Sequence, residues 1–444
     1  MFPRTILGNL EKWANKLHRK PLILRGARQV GKTTAIDLFS REFDQYLKLN
    51  LEKLPDRKLF EQNLSVKELL QAIRLHLNQP MLPGRILLFI DEIQNSPEAI
   101  HAMRYFYEEE NPNLYVVSAG SLLETLIAKG NISFPVGRVE YQFMWPLSFS
   151  EFLRAEGLTE AYECFHATPI PGFAHEILLK EFRRYMFIGG MPEIVSRYIE
   201  TDDITSLSPI YQSLLISFQD DVEKYARSGA AAGILRHAIK TLPFEAGKRI
   251  HFHGFGNSNY GSREMGEALR TLEKAMLLHL LYPTTATQLP LIPNRKRSPR
   301  LQFLDTGLLC SALGLQGGLF EAMELNAVYN GILAEHIVGQ ELLGISDGSS
   351  VPVFWVREKR QANAEVDFLL KYKSQVIPVE IKSGKPGILR SLHAFIEQSG
   401  ARIAVRLYSG GFHVQEAITP VQRVRYTLYN LPLYMASRLP EYLG

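Results

Sequence analysis

The sequence predicts an α/β chain built in three parts: an open, mostly parallel sheet flanked by helices, a helical middle, and a smaller α/β module at the end. Three observations carry this. The first ~145 residues alternate short apolar runs with longer amphipathic stretches, as strands buried on both faces and joined by crossover helices do. From Ser148 to about Ala286 the apolar residues recur at helical spacing. The last ~115 residues read in the order α-β-β-β-α-β.

In the first part, Pro21 to Arg25 is a short apolar strand before a glycine-rich turn. Tyr46 to Leu51 alternates apolar and polar residues, as a half-buried strand does. Ile86 to Ile90 is an unbroken buried run, and Leu114 to Ala119 and Val139 to Phe143 are further strands. In the middle, Phe149 to Leu153, Glu176 to Phe187, Ile210 to Arg227 and Ala231 to Thr241 are helical. Gly189-Gly190-Met191-Pro192 breaks the chain. Gly261 to Tyr282 reads as one helix stopped by Pro283, and a short strand, Gln302 to Leu304, follows a basic stretch. Helices before a short strand pair suit a winged-helix-like module, with Arg295, Lys296, Arg297 and Arg300 either as its wing or as a solvated loop. In the last part, Gly331 to Leu343 and Leu389 to Gln398 are helices. Val353 to Val356, Glu365 to Leu370, Gln375 to Ile381 and Arg402 to Leu407 are strands. The expected domains are 1–147, 148–325 and 326–444.

Composition narrows the function classes. A chain of 444 residues holds two to four domains at roughly 100–200 residues each. With 46% hydrophobic and 22% charged residues, large cores form and disorder is excluded. The two cysteines, Cys164 and Cys310, exclude a disulfide scaffold and a cysteine-based zinc site. No histidine pair, His251 and His253 included, has zinc-ligand spacing. No apolar run reaches the ~18 residues of a membrane span, and Met1 to Leu10 has no signal-peptide core, so a cytoplasmic location is expected. From Val351 onward 13 Lys and Arg stand against 7 Asp and Glu, a surplus of +6 within a chain of net +4. This basic end suits a polyanionic partner or an ordinary solvated surface.

Gly26-Ala27-Arg28-Gln29-Val30-Gly31-Lys32-Thr33 fits the pattern G-x-x-x-x-G-K-S/T, with a strand before it and an amphipathic helix from Thr34 after it. The glycines let backbone N–H groups wrap phosphates, and the helix N-terminus adds partial positive charge. Lys32 is expected at the β- and γ-phosphates and Thr33 on Mg²⁺. The strand Ile86 to Ile90 delivers Asp91 to the end of the sheet where ligands bind, to hold Mg²⁺ directly or through water. Glu92 is placed to polarise an attacking water. Ser121, after the fourth strand, is either a γ-phosphate contact or a turn hydroxyl. Arg138 is read either as an arginine finger acting across a subunit interface or as a surface charge.

These residues resemble the AAA-type P-loop ATPases of bacteria and archaea that carry an uncharacterised C-terminal domain. The resemblance rests on GARQVGKTT, ILLFIDEIQ, AGSLLE, WPLSFSEF from Trp145, FIGGMPE from Phe187, FLDTGLL from Phe303, EVDFLL and PVEIKSG. It covers nearly the whole chain and implies an ASCE-type P-loop sheet that binds ATP at residues 26–34, Thr34 included. It leaves the biological role open.

Glu365-Val366-Asp367-Phe368 followed by Pro378-Val379-Glu380-Ile381-Lys382 resembles the PD-(D/E)-x-K nuclease pattern. Glu380 and Lys382 lie two apart on a strand and share one face. A turn at Lys371 to Ser374 would set Asp367 opposite Pro378, one diagonal from Glu380. Asp367 and Glu380 are then candidate ligands of a second Mg²⁺, and Lys382 the residue that orients or activates a water. Glu335, on the preceding helix, would complete the metal site as the helix glutamate does in similar nucleases. Gln398 faces that site or simply ends its helix. Trp355 fits the core better than a stacking role. The expected function is an Mg²⁺-dependent ATPase acting on DNA through winged-helix-like and restriction-endonuclease-like parts, with a further copy of the chain as a partner. The alternative is a nucleotide-switched scaffold whose C-terminal module is not catalytic.

Overall fold

In the computed structural model, Ile86–Asp91 forms a strand buried along its whole length, which requires helices on both faces of its sheet. The structure describes residues 2–109, 111–120, 137–223, 226, 228–316, 327–346, 351–357, 364–383 and 389–443. The chain divides into two units, Met1–Trp145 with Lys274–Met276, and Pro146–Glu273 with Leu277–Gly444.

The first unit runs α1 (Thr5–Ala14), β1 (Leu22–Arg25), α2 (Lys32–Phe39), β2 (Gln45–Asn50), α3 (Leu54–Lys58), α4 (Val66–His76), β3 (Ile86–Asp91), α5 (Pro97–Glu108), β4 (Leu114–Gly120) and β5 (Glu140–Phe143). The five expected strands make one parallel sheet in the order β2-β3-β4-β1-β5. Strand β2 alternates buried and half-buried residues because it is an edge. The helices start on local signals. Ser65 and Glu68 form a capping box at α4, and Ser96 caps α5 with Pro97 at its first position. Leu69, Leu70 and Ile73 of α4 and Ile100, Met103 and Phe106 of α5 join Leu47, Leu88 and Ile90 in one core.

The second unit begins with helices α6 (Phe149–Ala155), α7 (Thr159–His166), α8 (His175–Ile188), α9 (Pro192–Thr201), α10 (Ser208–Glu223), α11 (Gly229–Glu245) and α12 (Ser262–Lys274). The helix expected over 261–282 is shorter than the sequence suggested. Met276 takes a left-handed φ of 59°, and Leu278–Leu281 becomes strand β6. A short, mostly apolar run such as Leu277 to Leu281, with His279 inside it, does not distinguish a buried strand from a helix end. Strand β6 pairs antiparallel with β8 (Arg300–Phe303), and Arg249 bridges to Arg300 on the other side.

After α13 (Thr306–Ala312), helix α14 (Ala327–Gly344) leads into β9 (Val353–Val356), β10 (Glu365–Tyr372), β11 (Gln375–Lys382), α15 (Arg390–Ser399), β12 (Ile403–Tyr408), β13 (His413–Ile418) and β14 (Arg425–Pro432). The expected strands are joined by two more, β13 and β14. With β7 (Pro283–Thr284) they form a seven-stranded sheet in the order β13-β14-β12-β11-β10-β9-β7. Strands β9, β10 and β11 are antiparallel neighbours, and β12 lies parallel to β11 across α15. Helix α15 packs Leu392, Phe395 and Ile396 on this sheet, with Trp355 edge-on to Phe395 at 5.3 Å between ring centroids. Trp355 is fully buried, and Gln398 is exposed in the last turn of α15.

The hairpin register differs from the sequence-based one. Tyr372 pairs with Gln375, so only Lys373 and Ser374 form the turn, with Lys373 at φ 52°. The observed pairs Leu369–Pro378 and Phe368–Val379 put Asp367 level with Glu380, not Pro378. A four-residue polar segment had suggested a longer turn, but a two-residue turn with a left-handed residue fits the strand twist better.

Candidate active site

The P-loop is built from β1 outward. Leu22, Ile23 and Leu24 are fully buried, which fixes where the chain leaves the sheet. Gly26 lies against β5, where a Cβ would meet the Met144 carbonyl oxygen at 2.4 Å. Gln29 and Gly31 both have positive φ, 64° and 94°, and Gly31 caps α2. Ala27 and Val30 are fully buried, Arg28 is half-buried, and Gln29 and Thr34 are exposed. Arg4 braces the loop from α1: its Nη1 donates to the Val30 carbonyl at 3.0 Å and its Nη2 to the Trp145 carbonyl at 2.6 Å. Nothing in the sequence around Arg4 marks it for this role.

Lys32 is buried and its ammonium folds back, donating to the carbonyls of Gly26 at 2.9 Å and Ala27 at 2.8 Å. The Thr33 hydroxyl donates to Asp91 Oδ2 at 2.7 Å across the gap between α2 and β3. These two are the oxygen donors expected to hold Mg²⁺, and their chemistry fits that hard cation. Burial raises the Asp91 pKa, against the hydrogen bonds from Thr33 and the Glu92 backbone. Glu92 stands at φ 53°, a left-handed position rare outside glycine and common where a strained residue serves a site. Burial also raises its pKa, while the Gln94 side-chain amide donates to Glu92 Oε2 and opposes the rise.

Gln94 has room because β4 ends in Gly120, where a Cβ would meet Gln94 Oε1 at 2.4 Å. Both residues sit inside the quoted motifs, but their partnership needs two strands side by side. Ser121 lies outside the described residues. Arg138 lies just before β5, at the opposite end of the strands from the P-loop, with its Nε 3.7 Å from Glu108 Oε1.

In the second unit the nuclease-like residues do meet. Ile381 N–H donates to Asp367 Oδ2 at 2.7 Å, and Lys382 Nζ lies 2.7 Å from Glu380 Oε1. The β10 register shifts between Val366 and Leu369, and such a bulge re-aims the side chains around Asp367. Glu335 approaches from α14, and burial pushes it and Glu380 up to about 7. Burial also raises Asp367. The sequence reading missed the cation at the centre. Arg300 is buried, not part of a wing or a solvated loop. Its Nη1 is 3.2 Å from Glu335 Oε2, and its Nη2 pairs with Glu365 Oε1 and lies 3.8 Å from Asp367 Oδ1. Arg295, Lys296 and Arg297 of the same run are exposed. Glu380 Oε2 is buried without a hydrogen-bond partner. Among the described residues no group of three His, Cys, Asp or Glu side chains is arranged to hold a metal ion.

Residues 18–153 match the family model of the AAA domain. Residues 179–318 match a domain of unknown function, DUF8612, and residues 330–424 another, DUF4143. No curated protein matches the chain. Among solved structures, a Walker-type ATPase of Pyrococcus abyssi is 14% identical, with 70% of this chain and 96% of that one covered and a TM-score of 0.47. The Thermotoga maritima RuvB Holliday junction branch migration motor is 14% identical, with 66% and 93% covered and a TM-score of 0.29. The Aeropyrum pernix ORC2 protein is 11% identical, with 72% and 96% covered and a TM-score of 0.30. Among the described residues no helix is long and apolar enough to cross a membrane. The first part of the chain is accordingly an ATP-binding AAA-type ATPase domain, and two domains of families without an assigned function follow it.

Proposed function

We propose that the chain hydrolyses ATP with Mg²⁺ and couples this to DNA. The observation that carries the reading is Thr33 donating to Asp91 at 2.7 Å beside a buried Lys32, with Glu92 next along the strand end. ATP phosphates draw the Lys32 ammonium from the Gly26 and Ala27 carbonyls. Backbone N–H groups of the loop and the first turn of α2 wrap the same oxygens. Thr33 and Asp91 would hold Mg²⁺, which would supply positive charge beside the phosphates. The Glu92 carboxylate, released from the Gln94 amide, orients the attacking water and accepts its proton. Arg138 is exposed on the outside of its own unit, where an arginine finger for a second copy would stand.

Two features support the DNA side. Helices α11 and α12 with the Arg249 bridge and the β6–β8 pair follow a winged-helix order. Helix α14, the antiparallel β9-β10-β11 and the crossover to parallel β12 follow the order of nuclease-like folds. One observation favours the scaffold alternative. The C-terminal acids already hold Arg300, which suits a module that grips nucleic acid or protein without cutting.

The test is the steady-state ATPase rate at fixed low salt and Mg²⁺, with and without single- and double-stranded DNA. Glu92→Gln is expected to keep nucleotide binding and lose ~10²-fold or more in rate. Lys32→Ala is expected to lose nucleotide binding, and unchanged affinity would remove the site. Stimulation by DNA supports DNA coupling, and a Glu92-dependent rate indifferent to DNA supports the scaffold.

A further inference from the structure

We infer that Arg300 is the resident cation of the C-terminal acid cluster and excludes a divalent metal ion from it. This rests on reading the sheet around Asp367 and Glu380 as nuclease-like. Four carboxylates, Glu335, Glu365, Asp367 and Glu380, come from one helix and two strands. Arg300 enters from a fourth element, β8, and its guanidinium lies within 4 Å of three of them.

The position of Arg300 is built, not incidental. Its backbone is fixed by pairing with Leu281 and by the bridge to Arg249. Its guanidinium carbon sits 4.9 Å from the centroid of the Phe354 ring on β9, within cation–π range. It also donates to the Asp367 carbonyl at 3.5 Å. A rigid, permanently charged fork held in this way suits a buried carboxylate cluster better than a mobile side chain does.

The acids show what the arginine displaces. A hard cation would be held by Asp367, Glu380 and Glu335, since oxygen donors are what it takes. Glu335 and Asp367 both spend carboxylate oxygens on Arg300. Glu380 keeps one buried oxygen with no partner. A metal ion entering this space would meet a fixed positive charge about 3–4 Å from its ligands, which repels it and occupies carboxylate oxygens that it would need.

The test is Mn²⁺ binding by the full-length protein without nucleotide, read by calorimetry or by the free-ion EPR signal. All samples carry Asp91→Ala to silence the N-terminal ion site. With Arg300 in place, binding is expected to be weak. Arg300→Met is expected to bind Mn²⁺ about tenfold tighter or more, and adding Asp367→Asn to abolish that gain. Equal affinity with and without Arg300 overturns the exclusion and leaves the acids as a metal site. No binding in either overturns the exclusion together with the nuclease-like reading. If melting shows that Arg300→Met does not fold, Glu365→Gln serves instead. It loosens the arginine without touching Glu335, Asp367 or Glu380. It is expected to tighten Mn²⁺ binding, and an unchanged affinity overturns the proposal.

Discussion

Glu92 joins three unusual conditions: a left-handed backbone, a half-buried carboxylate and a hydrogen bond from Gln94. Burial makes it a weaker acid than an exposed glutamate and so a better base. The reaction needs it ionised. As pH falls, kcat is therefore expected to drop with an apparent pKa above the ordinary ~4.3 of glutamate. A pH–rate profile checks this, and an acid limb at or below that value would remove Glu92 as the base. At this scale the sequence was legible where the residues brought together lie within short contiguous segments. Lys32, Thr33, Asp91 and Glu92 follow from spacing along two short segments. Arg4 and Arg300 do not, because their partners lie far along the chain: Arg4 meets Trp145, and Arg300 meets Glu365. Only the folded neighbourhood tells a structural arginine from a surface one.

Among the elements, the quoted motifs of the second unit prove to be joints. Asp305 caps α13 by accepting from Leu308 N–H at 3.0 Å, and also accepts from Gly190 N–H at 2.7 Å at the start of α9. It is buried, and that burial pushes its pKa up to about 6. Gly307 lies so close to the end of α8 that a Cβ would meet the Ile188 carbonyl oxygen at 2.1 Å, and Gly190 is as tightly set against the Leu147 carbonyl at 2.2 Å. Gln340 of α14 joins the same network through Thr306 N–H and the Tyr185 hydroxyl. FIGGMPE, FLDTGLL and the stretch from Trp145 thus meet around one buried carboxylate. Gly307→Ala is expected to cost ~1–3 kcal/mol or more, because backbone meets backbone and nothing flexible yields. Asp305→Ala is expected to cost ~2–5 kcal/mol by stranding two buried N–H donors. Urea titration checks both, and a change below ~0.5 kcal/mol in either would mean that the joint is slack. Strand β13 shows where periodicity fails. Residues of β13 are exposed on both faces, so the strand lacks the alternation that marks a half-buried one.

For the whole molecule, the division into two units makes nucleotide a local stabiliser. A non-hydrolysable ATP analogue at ~100 times its Kd is expected to stabilise the P-loop unit by ~2.7 kcal/mol. Scanning calorimetry with Mg²⁺ should move one transition upward, and Lys32→Ala should leave both in place. DNA binding, if carried by exposed basic residues such as Arg295, Lys296 and Arg297, is expected to weaken linearly in log affinity against log salt. An affinity insensitive to salt would discard that face. The parallel sheet was readable in full because its central strands β1, β3 and β4 are mostly apolar runs and its edge strand β2 alternates. The later sheet was readable only in its middle, because its outer strands are short or solvated.

One strand of that later sheet carries a practical warning. Pro283 and Thr284 pair with Phe354 and Trp355, so the edge beside β9 is supplied by residues that precede the rest of the sheet by a strand and two helices. Anyone dissecting the chain at residue 326 would remove that edge, and Arg300 with it. The isolated fragment would present bare carboxylates and an open strand to solvent. It would be prone to pick up metal ions and to stick to itself. Nuclease activity seen in such a fragment would describe the cut, since the fragment lacks the arginine that the intact chain places among these acids.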